Sequence, residues 1–116
     1  MIELHIVIKA PPKQSRILIA ALQVLAKNAR IVAGCITVEV YQSVTVPRSI
    51  CYDEIWDSES ALHRMIDSHH FSQIAELMEL STVPPACEFR FISQTFGLDF
   101  AQKVRDAKGH STTIIN

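Results

Sequence analysis

Tyr52, Glu54 and Trp56 stand two residues apart along one short segment, and Trp56 is the chain's single tryptophan. Alternate residues of a strand share a face, so a strand here would set a phenol, a carboxylate and an indole N–H side by side. On a buried face the carboxylate must be paired or hydrogen-bonded, because a bare buried charge is too costly. Two arrangements meet that demand. In one, Glu54 pairs locally, with Arg48 or with strand-end backbone, and Trp56 is core. In the other, the three side chains wall a pocket, with Trp56 as donor and Glu54 as acceptor or base. His63 and His70 follow, seven residues apart. On an unbroken helix they would share a face about 10.5 Å apart, too far to grip one metal ion. With no H-x-x-x-H or H-E-x-x-H spacing either, no metal site is expected. His70 is then either a partly buried helix histidine with a satisfied ring or a pocket acid/base, a role that suits imidazole near neutral pH. His69 is expected to be exposed.

Other chemistries lack the residues they need. Cys35, Cys51 and Cys87 are odd in number and far apart, which argues against both a disulfide framework and a zinc site. Each opens a strand-like run and reads as a buried, inert thiol. There is no G-x-S-x-G elbow for a serine nucleophile. With glycine only at positions 34, 97 and 109, no phosphate-cradling loop exists. A formal net charge of −1 gives no electrostatic footprint for nucleic acid or an anionic membrane. No apolar run approaches the roughly 20 residues that span a bilayer, and the first residues lack the pattern of a signal peptide. A cytoplasmic protein is expected.

A chain of 116 residues supports one core. The elements that must position the candidate residues follow from its periodicities. Ile2, Leu4, Ile6 and Ile8 alternate with Glu3, His5, Val7 and Lys9, which predicts a half-buried strand ended by Pro11-Pro12. Leu18, Ala21, Leu22, Leu25 and Ala29 keep helical spacing over Ser15 to Val32, and Gly34 is a good stop. Strands are predicted over Cys35–Thr45 and Ile50–Trp56, paired as an antiparallel hairpin. A second helix is predicted from Ser58 to about Leu80, with Leu62, Ile66, Ile74 and Leu77 as its apolar stripe and a break near Ser68-His69-His70. A fourth strand, Cys87–Thr95, follows Pro84-Pro85. Leu98–Lys108 reads as a short final helix, and His110–Asn116 as a tail or an exchanged strand.

The order β-α-β-β-α-β is the ferredoxin-like α+β plan, with two helices on one face of a four-stranded antiparallel sheet. Ile36, Val38, Val40, Phe89 and Phe91 are expected to face the helices together with the apolar residues of the first strand. The open face then carries Glu3, His5, Val7, Lys9, Thr37, Glu39, Tyr41, Cys51, Asp53, Ile55, Glu88, Arg90 and Ile92. Both charge signs mixed with aliphatics fit a homodimer interface better than a solvated face.

Gly34-Cys35, Glu39-Val40-Tyr41, Glu54-x-Trp56-x-Ser58, Ala61-Leu62, Ser68 and His70-Phe71 together resemble the antibiotic biosynthesis monooxygenase family. The resemblance covers residues 1–96 and leaves 97–116 as a C-terminal helix and tail. It implies a dimeric α/β barrel joined through the open sheet face, with a cavity in each protomer. It also implies a monooxygenase that uses molecular oxygen on a small aromatic or quinol-type substrate without metal, flavin or other cofactor. Trp56, Glu54 and His70 would be catalytic, and Tyr52, His63, Met65 and Phe71 would line the substrate. Met65 stands where many members have a histidine. Ala75 stands where heme-degrading relatives have the iron-binding histidine, and their strand-one asparagine has no counterpart among Leu4, Ile6 and Ile8. A heme-binding or heme-degrading role is therefore disfavoured. A non-catalytic dimeric barrel that binds a small apolar ligand or partner is the alternative.

Overall fold

The structure is a computed structural model that describes residues 1–109, so the expectation for His110–Asn116 lies outside the described residues. In chain order the elements are β1 (Ile2–Lys9), α1 (Ser15–Arg30), β2 (Cys35–Gln42), β3 (Ser49–Trp56), α2 (Glu59–Ile66), α3 (His69–Met78), β4 (Ala86–Phe91) and α4 (Leu98–Ala107). The strands form one antiparallel sheet in the order β2-β3-β1-β4. This is the ferredoxin-like arrangement that the element order predicts. Among the described residues no helix is long and apolar enough to cross a membrane.

The core lies between the sheet and the helices. β1 gives it Ile2, Leu4, Ile6 and Ile8, all buried, while Glu3, His5, Val7 and Lys9 are only partly covered. From α1 come Leu18, Leu22, Leu25, Ala26 and Ala29, the stripe that its helical spacing marks out. Direct pairing across β1 sets the phase of its neighbours. Ile6 faces Tyr52, Leu4 faces Glu54 and Ile2 faces Trp56, so the Tyr52-Glu54-Trp56 face turns inward. On the other side of β1, Phe89 and Phe91 face Leu4 and Ile2. Phe89 lies on the helix side, its ring 6.5 Å from that of Phe71.

Several expectations are corrected. Ile36 does not face the helices: a register shift between Cys35 and Thr37 sets Cys35 opposite Trp56 and leaves Ile36 exposed. A bulge adds one unpaired residue to a strand, and period-two reading cannot see it. The Ser58–Leu80 helix is two helices, α2 and α3. Ser68 makes the break near the place the sequence marks: its N–H and hydroxyl both donate to the Met65 carbonyl, at 3.0 and 2.6 Å, and its extended backbone opens α3. Ile66, at the end of α2, is therefore exposed rather than part of the stripe. β2 ends at Gln42 and β4 at Phe91, both earlier than their apolar runs suggest. Cys51 is buried, but Cys35 is only partly so and Cys87 is exposed. No residue of α4 is buried.

Gly34 fixes the junction where β3 passes into α2. It adopts φ +93°, a region open to glycine and strained for other residues. A Cβ there would sit 2.5 Å from the Ala61 Cβ. Its carbonyl accepts a hydrogen bond from the Asp57 N–H at 2.9 Å. One residue on, the Ser58 hydroxyl caps α2 by accepting from the Ala61 N–H at 3.2 Å.

Candidate functional site

Glu54 is fully buried and accepts from three side chains. The Tyr52 hydroxyl donates to Oε2 at 2.5 Å, and the Trp56 indole N–H donates to Oε1 at 3.0 Å. His70 Nε2, sixteen residues along, lies 2.6 Å from Oε2. Arg48 is not the partner; its guanidinium reaches the Ala10 carbonyl at 3.4 Å. Indole only donates and a carboxylate only accepts. Three convergent donors therefore match an ionised carboxylate, with the imidazole proton on Nε2. Burial, reinforced by the Glu54 charge, pushes the Tyr52 hydroxyl well above the ordinary tyrosine range. Tyr52 thus remains a neutral donor.

The break between α2 and α3 makes this constellation. It starts α3 anew at His69, so His70 lies in its first turn and reaches back to the sheet. His70 Nδ1 makes no hydrogen bond among the described residues, and the ring borders a cavity of about 310 Å³. Val32, Trp56, Arg64, Met65, Ser68 and His70 line that cavity. Glu54 lies behind Trp56 and His70, without exposure of its own. The layout is that of a base oriented by a carboxylate: one imidazole nitrogen held, the other left for a ligand.

Of the residues singled out in the sequence, Tyr52, Glu54, Trp56 and His70 form one hydrogen-bonded group, and Met65 joins Trp56 and His70 at the cavity. His63 is exposed on α2 and does not line the cavity, and the break removes the face it would share with His70. Phe71 packs against the core from α3, toward Phe89, outside the cavity lining. Arg64 and Val32 line the cavity without a role assigned from the sequence. Arg64 had a legible signal, since it and Ser68 follow Ala61 at helical spacing beside the buried stripe of α2. Val32 had none, because it lies beyond the end of α1. Cys35, opposite Trp56, has its thiol pushed up by burial and then by Glu54, which keeps it protonated and weakly nucleophilic. Among the described residues no group of three or more His, Cys, Asp or Glu is placed to hold a metal ion.

A second polar group occupies the open sheet face. His5 Nδ1 lies 2.5 Å from Asp53 Oδ1, the Tyr41 hydroxyl donates to Asp53 Oδ2 at 2.7 Å, and Arg90 donates to Glu3 at 2.9 Å. On this face His5 and Arg90 are thus paired with Asp53 and Glu3 within the protomer, while Lys9 and Glu39 make no ion pair among the described residues.

A Deinococcus radiodurans protein with a provisional antibiotic biosynthesis monooxygenase name superposes with a TM-score of 0.74 at 19% identity, over 84% of this chain and 97% of that one. A Mycobacterium tuberculosis protein gives 0.71 at 22% identity, over 83% and 98%. A conserved Methanosarcina mazei protein gives 0.68 at 23% identity, over 77% and 89%. These likenesses establish the fold. No curated protein matches the sequence. The family model for antibiotic biosynthesis monooxygenase matches residues 1–77, the span from β1 into α3 that carries the Glu54 group and the cavity, and the chain belongs to that family.

Proposed function

We propose that this protein is a cofactor-independent monooxygenase acting on a small aromatic or quinol-type substrate, with His70 as the general base. The observation that carries this reading is the buried Glu54 carboxylate, which holds His70 Nε2 and Trp56 Nε1 at the wall of a cavity while Nδ1 stays unbonded. In the proposed reaction Nδ1 takes a proton from a bound phenol or an activated methylene. The resulting anion is electron-rich enough to reduce molecular oxygen directly. For an anthrone-type methylene the balance is CH2 + O2 → C=O + H2O. The substrate carbon loses four electrons and the two oxygen atoms gain four, so no external reductant enters. Glu54 stabilises the imidazolium that forms, Trp56 and Met65 hold the ring, and the apolar walls exclude water.

The assembly that suits this function is a homodimer whose open sheet faces pack together into an α/β barrel. The support is the composition of that face, which Val7 and Ile55 share with the His5-Asp53 and Arg90-Glu3 pairs within the protomer. Residues 1–96 would form the barrel domain and 97–116 an appended helix and tail. The enzymatic reading is tested by oxygen uptake with a panel of anthrones and quinols in the presence of chelator. Uptake above the uncatalysed rate, reduced at least tenfold in Trp56→Phe, is expected. No uptake with any member at high protein concentration would leave the non-catalytic barrel as the better reading.

A further inference from the structure

Arg64 is the cation that the Glu54 group does not use. It lies on α2 immediately before Met65, and its side chain lines the same cavity as Trp56, Met65 and His70. Among the described residues it makes no hydrogen bond or ion pair. The carboxylate behind the cavity, on Glu54, is buried and already holds three donors. Ser68, the other polar lining residue, spends its hydroxyl proton on the Met65 carbonyl. The cavity therefore has apolar walls from Val32, Trp56 and Met65, borders the His70 ring, and is lined in part by Arg64, an exposed arginine whose guanidinium has no partner among the described residues. A volume of about 310 Å³ lies at the small end of ligand cavities and suits one or two fused rings.

We infer that the substrate is a small aromatic acid, a one- or two-ring hydroxyarene whose ionised carboxylate pairs with Arg64 while its hydroxyl meets His70. Guanidinium is planar and matches a carboxylate through two parallel hydrogen bonds, which fixes orientation as well as charge. A ring held at one edge by Arg64 and on its face by Trp56 can turn its hydroxyl toward Nδ1. The same contact discriminates. A neutral naphthol would fill the cavity equally well but leave the guanidinium without a partner, whereas the acid pairs with it. This inference rests on the cavity being the substrate site, as proposed above, and adds the charge of the substrate.

The single tryptophan gives a direct readout, because a ligand against Trp56 quenches its fluorescence. The probes are 1-hydroxy-2-naphthoate and 1-naphthol, which share a ring system and differ by the carboxylate. Isothermal titration calorimetry serves as a second readout free of optical interference. At pH 7.5 and low salt the acid is expected to bind the wild type at least tenfold more tightly than the naphthol. In Arg64→Met that preference should fall to near unity, and in Arg64→Lys it should be partly kept. Arg64 is exposed, so both variants should fold, which circular dichroism checks. Equal binding of the two probes by the wild type, or a preference unchanged in Arg64→Met, would overturn the role of Arg64 and leave the cavity standing as a substrate site. Binding of neither probe would overturn both.

Discussion

Glu54 organises the site because a buried carboxylate must be surrounded by donors. Each donor it recruits becomes fixed in turn: Tyr52 as a neutral hydroxyl, Trp56 by its N–H and His70 by Nε2. Two predictions belong to this scale. In Glu54→Gln one acceptor oxygen becomes an NH2 group facing donors, so at least one buried donor loses its partner. Urea unfolding should show a loss of roughly 2–4 kcal/mol, and an unchanged midpoint would contradict the arrangement. The second concerns Tyr52, whose folded-state pKa lies above its ordinary value of 10.0 because of burial and then Glu54. Below that value both the folded and unfolded chains keep the phenolic proton, and the contribution of Tyr52 to stability is fully present. Above it the unfolded chain gives up the proton while the folded one retains it, so stability falls with rising pH. The loss should begin near pH 10 at up to about 1.4 kcal/mol per pH unit. Stability curves between pH 8 and 11 should be steeper for the wild type than for Tyr52→Phe by that amount. Parallel curves would mean that Tyr52 is not so confined.

At the level of elements, the site depends on two interruptions, the bulge at the start of β2 and the break between α2 and α3. The first sets Cys35 opposite Trp56, and the second turns His70 toward Glu54. The break was legible as a polar cluster in an apolar pattern, Ser68-His69-His70. The bulge was not, because Ile36 keeps its place in the alternation and only the pairing register exposes it. Likewise Tyr52, Glu54 and Trp56 could be placed on one inward face from strand phase alone, but their shared partner could not. Contact between residues 54 and 70 is decided by the angle at which α3 leaves the break, a tertiary quantity with no local signature. For Arg64 the helical spacing places it beside the buried stripe of α2, but the cavity there is again a tertiary feature with no local signature. Gly34 ties these elements together through its left-handed backbone and its closeness to Ala61. Gly34→Ala should cost about 2 kcal/mol or more, combining backbone strain with overlap. Adding Ala61→Gly should recover only the part due to overlap, since φ at position 34 stays unfavourable. Full recovery in the double variant would show that the strain is negligible.

For the whole molecule, one helix-covered sheet face and one open face divide the labour. The covered face holds the core and the Glu54 group, while the open face holds the His5-Asp53-Tyr41 and Arg90-Glu3 networks. Pairing those charges within the protomer lowers the desolvation cost of covering them with a second copy. The proposed homodimer predicts a mass of two chains in solution, and Val7→Glu, which would bury an unpaired charge at its centre, should shift light-scattering mass from two chains to one. A wild type that is monomeric at tens of micromolar would remove the barrel. On the proposed reading, the cavity beside Trp56 is where an ionised substrate meets oxygen, with His70 taking the proton. Turnover of a two-ring quinol, naphthalene-1,4-diol, to the hydroxyquinone and water under 18O2, in the presence of chelator and followed by mass spectrometry of the product, tests this directly. Wild-type protein should insert one labelled oxygen atom per product molecule, and His70→Gln should lower the rate at least a hundredfold. Product without label, or equal rates from the wild type and His70→Gln, would contradict it.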